Sequence, residues 1–591
     1  SGYHGEVLRY DTTGSFTSTS AWATYDPGAN GVGTDLDGFI GGTFDGRYLY
    51  LVPYFDGTDN HGEVLRFDTT ADIQTNSSWT AYDPGSNGVG TDPDGYAGAA
   101  FDGRFVYLIP LESGSGRHGE FLRYDTTGSF TTPGSWAAFD PGTAGVGIDP
   151  DGRFGAVFDG RYLYVSPGTS NGTEHHGEVV RYDTQRANQG TLRQFIDNSN
   201  AVSGTQTSNF EIPIGDPGHS GGVWTISPTG ALPPVSTTAT IDGRTQPGWT
   251  STPVVELDGS GAGSSVGLDI DADDSSVSGL AIGAWSSSGV VIDGARVALT
   301  ASHVGTDAAG TAARANGSYG VLVRGADATI DRNLVSANTA DGIVVESGGT
   351  GAVITNSLIG TDVTGNAALP NSQEGIQVEA DDVEIGRVGS GNVISGNRYA
   401  GVNVFTGSPS GVVIRSNLIG VGADGTTSLP NSTTAPEGGI TVRDDVVSVL
   451  IGGIGAGQGN VIATNVADGV QIVNVNGTPQ NVAVLGNSIV GNTAIGIDLA
   501  NDGVTANDAG DGDSGANDLL NFPVITAGNP ATVDFDLDVP AGDYLVEAFR
   551  NPSGNDATGN GEGEISLGFH QIAHTGSGSE SFTGTYSGIL S

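Results

Sequence analysis

The chain has 591 residues, a formal charge of −46 and 98 glycines, and contains no Cys, Met or Lys. Such a length exceeds what one hydrophobic core organises and predicts two or three domains. The missing residue types exclude disulfides, thiolate metal sites and lysine chemistry, Lys–Asn cross-links included, and the charge excludes nucleic acid and anionic membrane as direct partners.

An oxidising, extracellular setting suits a chain without thiols or thioethers. No signal peptide or apolar membrane span is read from the sequence. A first residue other than Met leads us to expect a processed or partial chain.

From the start of the chain a repeat is visible. His-Gly-Glu opens at His4, His61, His118 and His176, in steps of 57, 57 and 58 residues. Phe-Asp-Gly-Arg opens at Phe44, Phe101 and Phe158, and Trp22, Trp79 and Trp136 keep the same step. Each unit reads as four strands, for example Tyr96 to Phe101, Arg104 to Ile109, His118 to Asp125 and Ser135 to Phe139, with Asp-Gly and Pro-Gly turns between them. Residues 1–184 resemble kelch-like, propeller-type repeats of bacterial surface proteins, on the FDGRYLYLVP and HGEVLRYDT signatures. That resemblance implies blade-like sheets and no particular chemistry. The strands number about thirteen, short of a closed ring of four blades. The last repeat stops at its third strand, leaving an edge open for subunit pairing.

A His recurring once per repeat reads as structural. Three loops pair carboxylates ahead of a Gly: Asp35 with Asp37, Asp92 with Asp94, and Asp149 with Asp151. They resemble the front of a calcium loop, although Asp also favours turns for its own reasons. Asn76, Asn171, Asn316, Asn431 and Asn476 match the Asn-x-Ser/Thr glycosylation pattern.

Near Arg186 the pattern changes. Leu192, Phe195 and Ile196 share one helical face, which predicts a short cap over the end of a stacked core. Coils follow, each built on a Gly-aliphatic-x-aliphatic strand: Gly320 to Val323, Gly342 to Val345, Gly375 to Val378, Gly401 to Val404, Gly439 to Val442, Gly469 to Ile472 and Gly496 to Leu499. The alternating aliphatics point inward. Recurring corner Asn residues predict side-chain ladders rather than a binding site. Longer loops begin at Val304, Ile359 and Ile419, and Gly360 to Gly420 spans a 60-residue super-repeat of two coils. Residues 185–527 resemble the right-handed parallel β-helix repeats of very large bacterial surface proteins, through ATIDGRTQPGW, the IGTD loops and NVISGN. This implies a rod, roughly 40–50 Å long at strand spacing.

Within this region Asp508, Asp511, Asp513, Asn517 and Asp518 alternate with Gly, a pattern suited to the hard oxygen ligands of Ca²⁺. A flexible acidic linker is the plain alternative. Residues 528–591 alternate again and suggest a small β-sandwich.

Taken together, these features predict an all-β extracellular structural protein of a filament, stalk or layer that self-associates through repeat edges. A monomeric adhesin or glycan-binding rod is the alternative. An enzyme is not expected: Asp381 and Asp382 are adjacent and face opposite ways on a strand, His219 lies far from them in sequence, and there is no Lys. A polysaccharide lyase or hydrolase therefore ranks last.

Overall fold

Alternation of apolar and polar residues makes strands nearly throughout. Among the described residues the one α-helix is α1, Leu192–Ala201, and no helix is long and apolar enough to cross a membrane. The computed structural model describes residues 4–586 apart from 35, 36, 92, 148–150, 161, 171–173, 176, 185–190, 435, 530, 531 and 557. Chain contacts divide the protein into two units, Ser1–Phe195 and Ile196–Ser591.

In the first unit each repeat becomes an antiparallel sheet. Phe39–Phe44, Tyr48–Pro53, Val64–Asp68 and Trp79–Tyr82 form one four-stranded sheet, and Tyr96–Phe101, Phe105–Pro110, Phe121–Asp125 and Trp136–Phe139 form the next. Val7–Tyr10 with Trp22–Tyr25 precedes them. Ala156–Phe158, Tyr162–Val165 and Val180–Asp183 follow as a sheet of three. Neighbouring sheets pack face to face. Tyr50, Val64 and Tyr82 share a core with Tyr96, Leu108 and Tyr124, and Phe105 and Ile109 meet Leu163 and Val165 beyond.

The repeat motifs have local causes. Asp102 closes its hairpin by accepting from Arg104 N (2.9 Å) and Phe105 N (2.6 Å), and it also accepts from Tyr107 Oη (2.7 Å). Arg104 crosses to Asp125 at 2.7 Å. The His61 and His118 rings lie edge-on to Phe39 and Tyr96, a packing role. These are separate antiparallel sheets of up to four strands, and their arrangement as blades of a kelch-type propeller stays an expectation.

In the second unit successive coils lay their strands into three sheets. The sheets hold 10, 11 and 9 strands. Thr329–Asp331, Leu334–Val335 and Ile343–Val345 show the order within one coil. Parallel pairing sets Ile343 on Ile376, Ile376 on Val402 and Val402 on Ile440, so like side chains stack. The inward Ile330, Val335, Ile343 and Val345 are all 0% exposed. The expected parallel β-helix architecture is what forms.

Two amide ladders run along its corners. In one, Asn316, Asn338, Asn371, Asn397, Asn431, Asn465 and Asn492 each donate to or accept from the next at 2.9–3.1 Å. In the other, Asn392, Asn417, Asn460 and Asn487 link at 2.8–3.0 Å. Stacked coils repeat every ~4.8 Å, and an amide carries both donor and acceptor, so the chain of bonds continues from coil to coil.

Both ends of the stack are covered. At one end Ile196 of α1 is buried, and Asn200 bonds Pro234 O (2.7 Å) and Ser236 N (2.9 Å). At the other end the hairpin Gly542–Arg550 with Ile565–His574 supplies two carboxylates. Glu547 accepts from Gly486 N at 2.9 Å, and Glu562 accepts from both Asn492 N and Nδ2 at 3.1 Å. That hairpin shares a core of Phe535, Leu537, Val546 and Ile572 with the three-stranded sheet Val524–Gly528, Thr532–Leu537 and Glu580–Thr585.

Candidate functional site

The chemistry concentrates where the chain enters the third sheet of the stack. The residue before each Gly-aliphatic strand stacks from coil to coil. Asp341 and Glu374 occupy this place in successive coils, Ala400 and Gly438 leave room in the next two, and Asp468 follows. Beside them the outward residues of the strands align as Val344, Gln377, Asn403, Thr441, Gln471 and Asp498. A strand face that is apolar at Val291, Leu322 and Val344 thus turns polar from Gln377 onward.

Hydrogen bonds tie this polar run together. Glu374 N donates to Asp341 Oδ1 at 3.1 Å, and Asn403 Nδ2 donates to Glu374 Oε1 at 2.9 Å. Burial, then the adjoining Glu374 carboxyl, pushes Asp341 well above the usual carboxylate range. Asn403 is 0% exposed, and its Oδ1 has no partner among the described residues. Glu437 fills the space over Ala400, accepting from Ala400 N at 3.2 Å, and its carboxyl is raised by burial and by Glu374. Arg443 stands 3.9 Å from Glu437 and over the Phe405 ring.

Further along, Gln471 Nε2 donates to Asp468 Oδ2 at 2.7 Å and to Asn501 Oδ1 at 3.2 Å. Asp498 accepts from Asp502 N and Gly503 N, yet burial still raises its carboxyl, and Asp468 adds to the rise. Here a cleft of about 570 Å³ opens, bordered by Thr433, Pro436, Asp468, Gln471, Asp498 and Asn501.

The sequence candidates fall elsewhere. Asp508, Asp511 and Asp513 come together, with carboxylate oxygens within 4.8 Å of one another. Burial raises the Asp511 carboxyl, and its two neighbours add to the effect. Asn517 does not join them, because its amide pairs with Val482 N (3.0 Å) and O (3.1 Å) to cap a strand edge. Asp518 stands outside the trio as well. A second trio, Asp269, Asp271 and Asp293, escaped the sequence reading, since its members come from two coils.

Of the paired loop carboxylates, Asp37, Asp94 and Asp151 are described, while Asp35, Asp92 and Asp149 lie outside the described residues. The Gly of these loops has a steric cause: at Gly95 (φ +69°) a Cβ would sit 1.6 Å from Glu112 O.

Asn316 and Asn431 are fully buried ladder members, so the folded protein offers neither amide for glycosylation, which corrects that expectation. Asn476 is exposed and bonded to Asp444, Asn76 bonds Asn30 O at 2.5 Å, and Asn171 lies outside the described residues.

Residues 266–444 and 319–508 match the family described as right handed beta helix region. No match was found among curated proteins. Solved structures similar to this chain include the A-module of a mannuronan C-5 epimerase from Azotobacter vinelandii, at 15% identity and TM-score 0.30, covering 54% of this chain and 95% of that one. An alginate lyase from a Paenibacillus species matches at 14% identity and TM-score 0.22, covering 46% and 97%. The Dettilon tailspike protein matches at 11% identity and TM-score 0.24, covering 67% and 89%. At these values the likeness concerns fold alone.

The expectation that the chain is not an enzyme is nevertheless corrected. The solved structures matched include an epimerase and a lyase, and the exclusion is withdrawn. Parallel stacking joins carboxylates one coil apart rather than those adjacent in sequence, as with Asp341 and Glu374.

Proposed function

We propose that the coil stack recognises polysaccharide along the corner leading into its third sheet, outside the cell or at its surface. The observation that carries this reading is the cleft at Asp468, Gln471, Asp498 and Asn501. Carboxylates and amides are the groups that take up sugar hydroxyls, and a stack repeats its polar positions along the line a glycan chain would follow. The charge of −46 disfavours polyuronates and selects neutral or amine-bearing glycans. Asp468 and the raised Asp498 share one cleft, an arrangement that also serves proton transfer, so glycan processing belongs to the same reading.

An immobilised panel of neutral, amino and uronate glycans tests it. Binding to the first two is expected, weakened at least tenfold by Asp498→Asn and by Gln471→Ala. Shortening of bound glycan in the same incubation would report processing. No retention on any glycan would sink the proposal.

Self-association into a filament, stalk or layer is the second reading. The strand Val524–Gly528 favours it, being exposed at every position on the edge of its sheet. Electron microscopy showing separate particles at high concentration would exclude it.

A further inference from the structure

Among the described residues the last repeat sheet of the first unit has three strands where the repeat has four, and the repeat itself shows which strand fits. In the three earlier sheets the third strand pairs antiparallel with a fourth that starts on Trp: Val7–Tyr10 with Trp22–Tyr25, Val64–Asp68 with Trp79–Tyr82, and Phe121–Asp125 with Trp136–Phe139. The register is constant. Tyr10, Phe67 and Tyr124 lie opposite Trp22, Trp79 and Trp136, with ring centroids 4.7, 4.5 and 4.8 Å apart. Each Trp Nε1 also donates to the backbone oxygen six residues earlier, at Phe16, Ile73 or Phe130.

The equivalent third strand of the last repeat, Val180–Asp183, pairs among the described residues with Tyr162–Val165 and sits at the sheet edge. After it the sequence turns to α1, and no Trp occurs before Trp224. Tyr182 occupies the place of Tyr124. Both lean on a tyrosine of the preceding sheet at nearly the same distance, Tyr182 on Tyr107 at 5.9 Å and Tyr124 on Tyr50 at 5.8 Å. Tyr124, with Trp136 on its other face, is 1% exposed, whereas Tyr182 is 43% exposed. Val179, in the place of the 1% exposed Val64, is 57% exposed.

We infer that the edge Val180–Asp183 is an acceptor for a strand of the pattern Trp-x-x-aromatic, supplied by another polypeptide that carries this repeat. The incoming strand would add main-chain hydrogen bonds at the open edge. Its Trp would stack on Tyr182 and its aromatic would cover Val179, as three internal pairs already do. A second copy of this chain is a poorer donor, because its three such strands are each engaged in their own sheets. The inference does not depend on the glycan reading.

The test is fluorescence anisotropy of a labelled peptide with the sequence of residues 129–141, titrated with the whole 591-residue protein. Saturable binding is expected, falling at least tenfold when the peptide carries the change W136A. Tyr182→Ala in the protein should weaken it equally. Tyr182→Phe should keep it, because Phe67 fills this place in the second sheet. Circular dichroism of both variants separates loss of binding from loss of fold. Absence of binding, or equal binding of the Trp-less peptide, overturns the inference. Protein oligomers that the peptide disperses would also overturn it, by making a second copy the donor.

Discussion

Asp341 and Glu374 are held in contact by the coil spacing, and the Asp341 carboxyl cannot turn to water without losing its bond from Glu374 N. With its pKa raised above the unfolded value, the Asp341 carboxyl stabilises the fold in full below the ordinary carboxylate range. That contribution drains away as pH rises through the raised value. Asp341→Asn keeps the shape and presents an amide donor to Glu374 at every pH. The variant should therefore unfold with a flatter pH dependence and be more stable than wild type by about 1–3 kcal/mol near pH 8. Denaturant titrations at about pH 5 and pH 8 check this, and parallel pH profiles for the two proteins would contradict it.

At the scale of elements, the long amide ladder ends on a carboxylate. Asn492 has no further coil to bond, and Glu562 takes its place as acceptor from the C-terminal hairpin. Glu562→Ala leaves those donors without that acceptor, a local loss of about 1–3 kcal/mol. Amide hydrogen exchange should accelerate at Ser488–Val490 and Ile497–Leu499 while Val402–Val404 stays protected. Uniform exchange in wild type and variant would remove the capping role. Glu562→Gln, which keeps an acceptor oxygen, should lie between the two.

Across the whole molecule the charge of −46 works against the folded state, so added NaCl should raise stability by screening. We propose that Ca²⁺ does more at equal ionic strength, because Asp508, Asp511 and Asp513 lie close enough to share one ion. An ion at about 100 times its Kd adds about 2.7 kcal/mol. Thermal unfolding with Ca²⁺, Mg²⁺ and matched NaCl reads this out. Asp511→Asn should abolish only the Ca²⁺-specific part, and an identical response to all three salts would leave plain screening as the explanation.

Much of this was legible in the sequence because it is periodic. The 57-residue step, the Gly-aliphatic strands and the corner Asn each declare a local geometry that recurs, and repetition carries a weak signal above chance. The four-strand repeats, the inward aliphatics and the amide ladders follow from it. What the sequence could not display is which residues meet across coils. Asp341 and Glu374 stand 33 positions apart and Asp269 and Asp293 stand 24 apart, and nothing local marks either pair. Asn316 and Asn431 carry a surface motif yet are buried, because the ladder claims them. Asn517 fits a ligand pattern yet bonds a strand edge. Periodicity determines strands and their facing, since these depend on neighbours in the chain. Partnership among polar groups was decided by tertiary structure alone, since it depends on how many residues each loop inserts before the next coil returns.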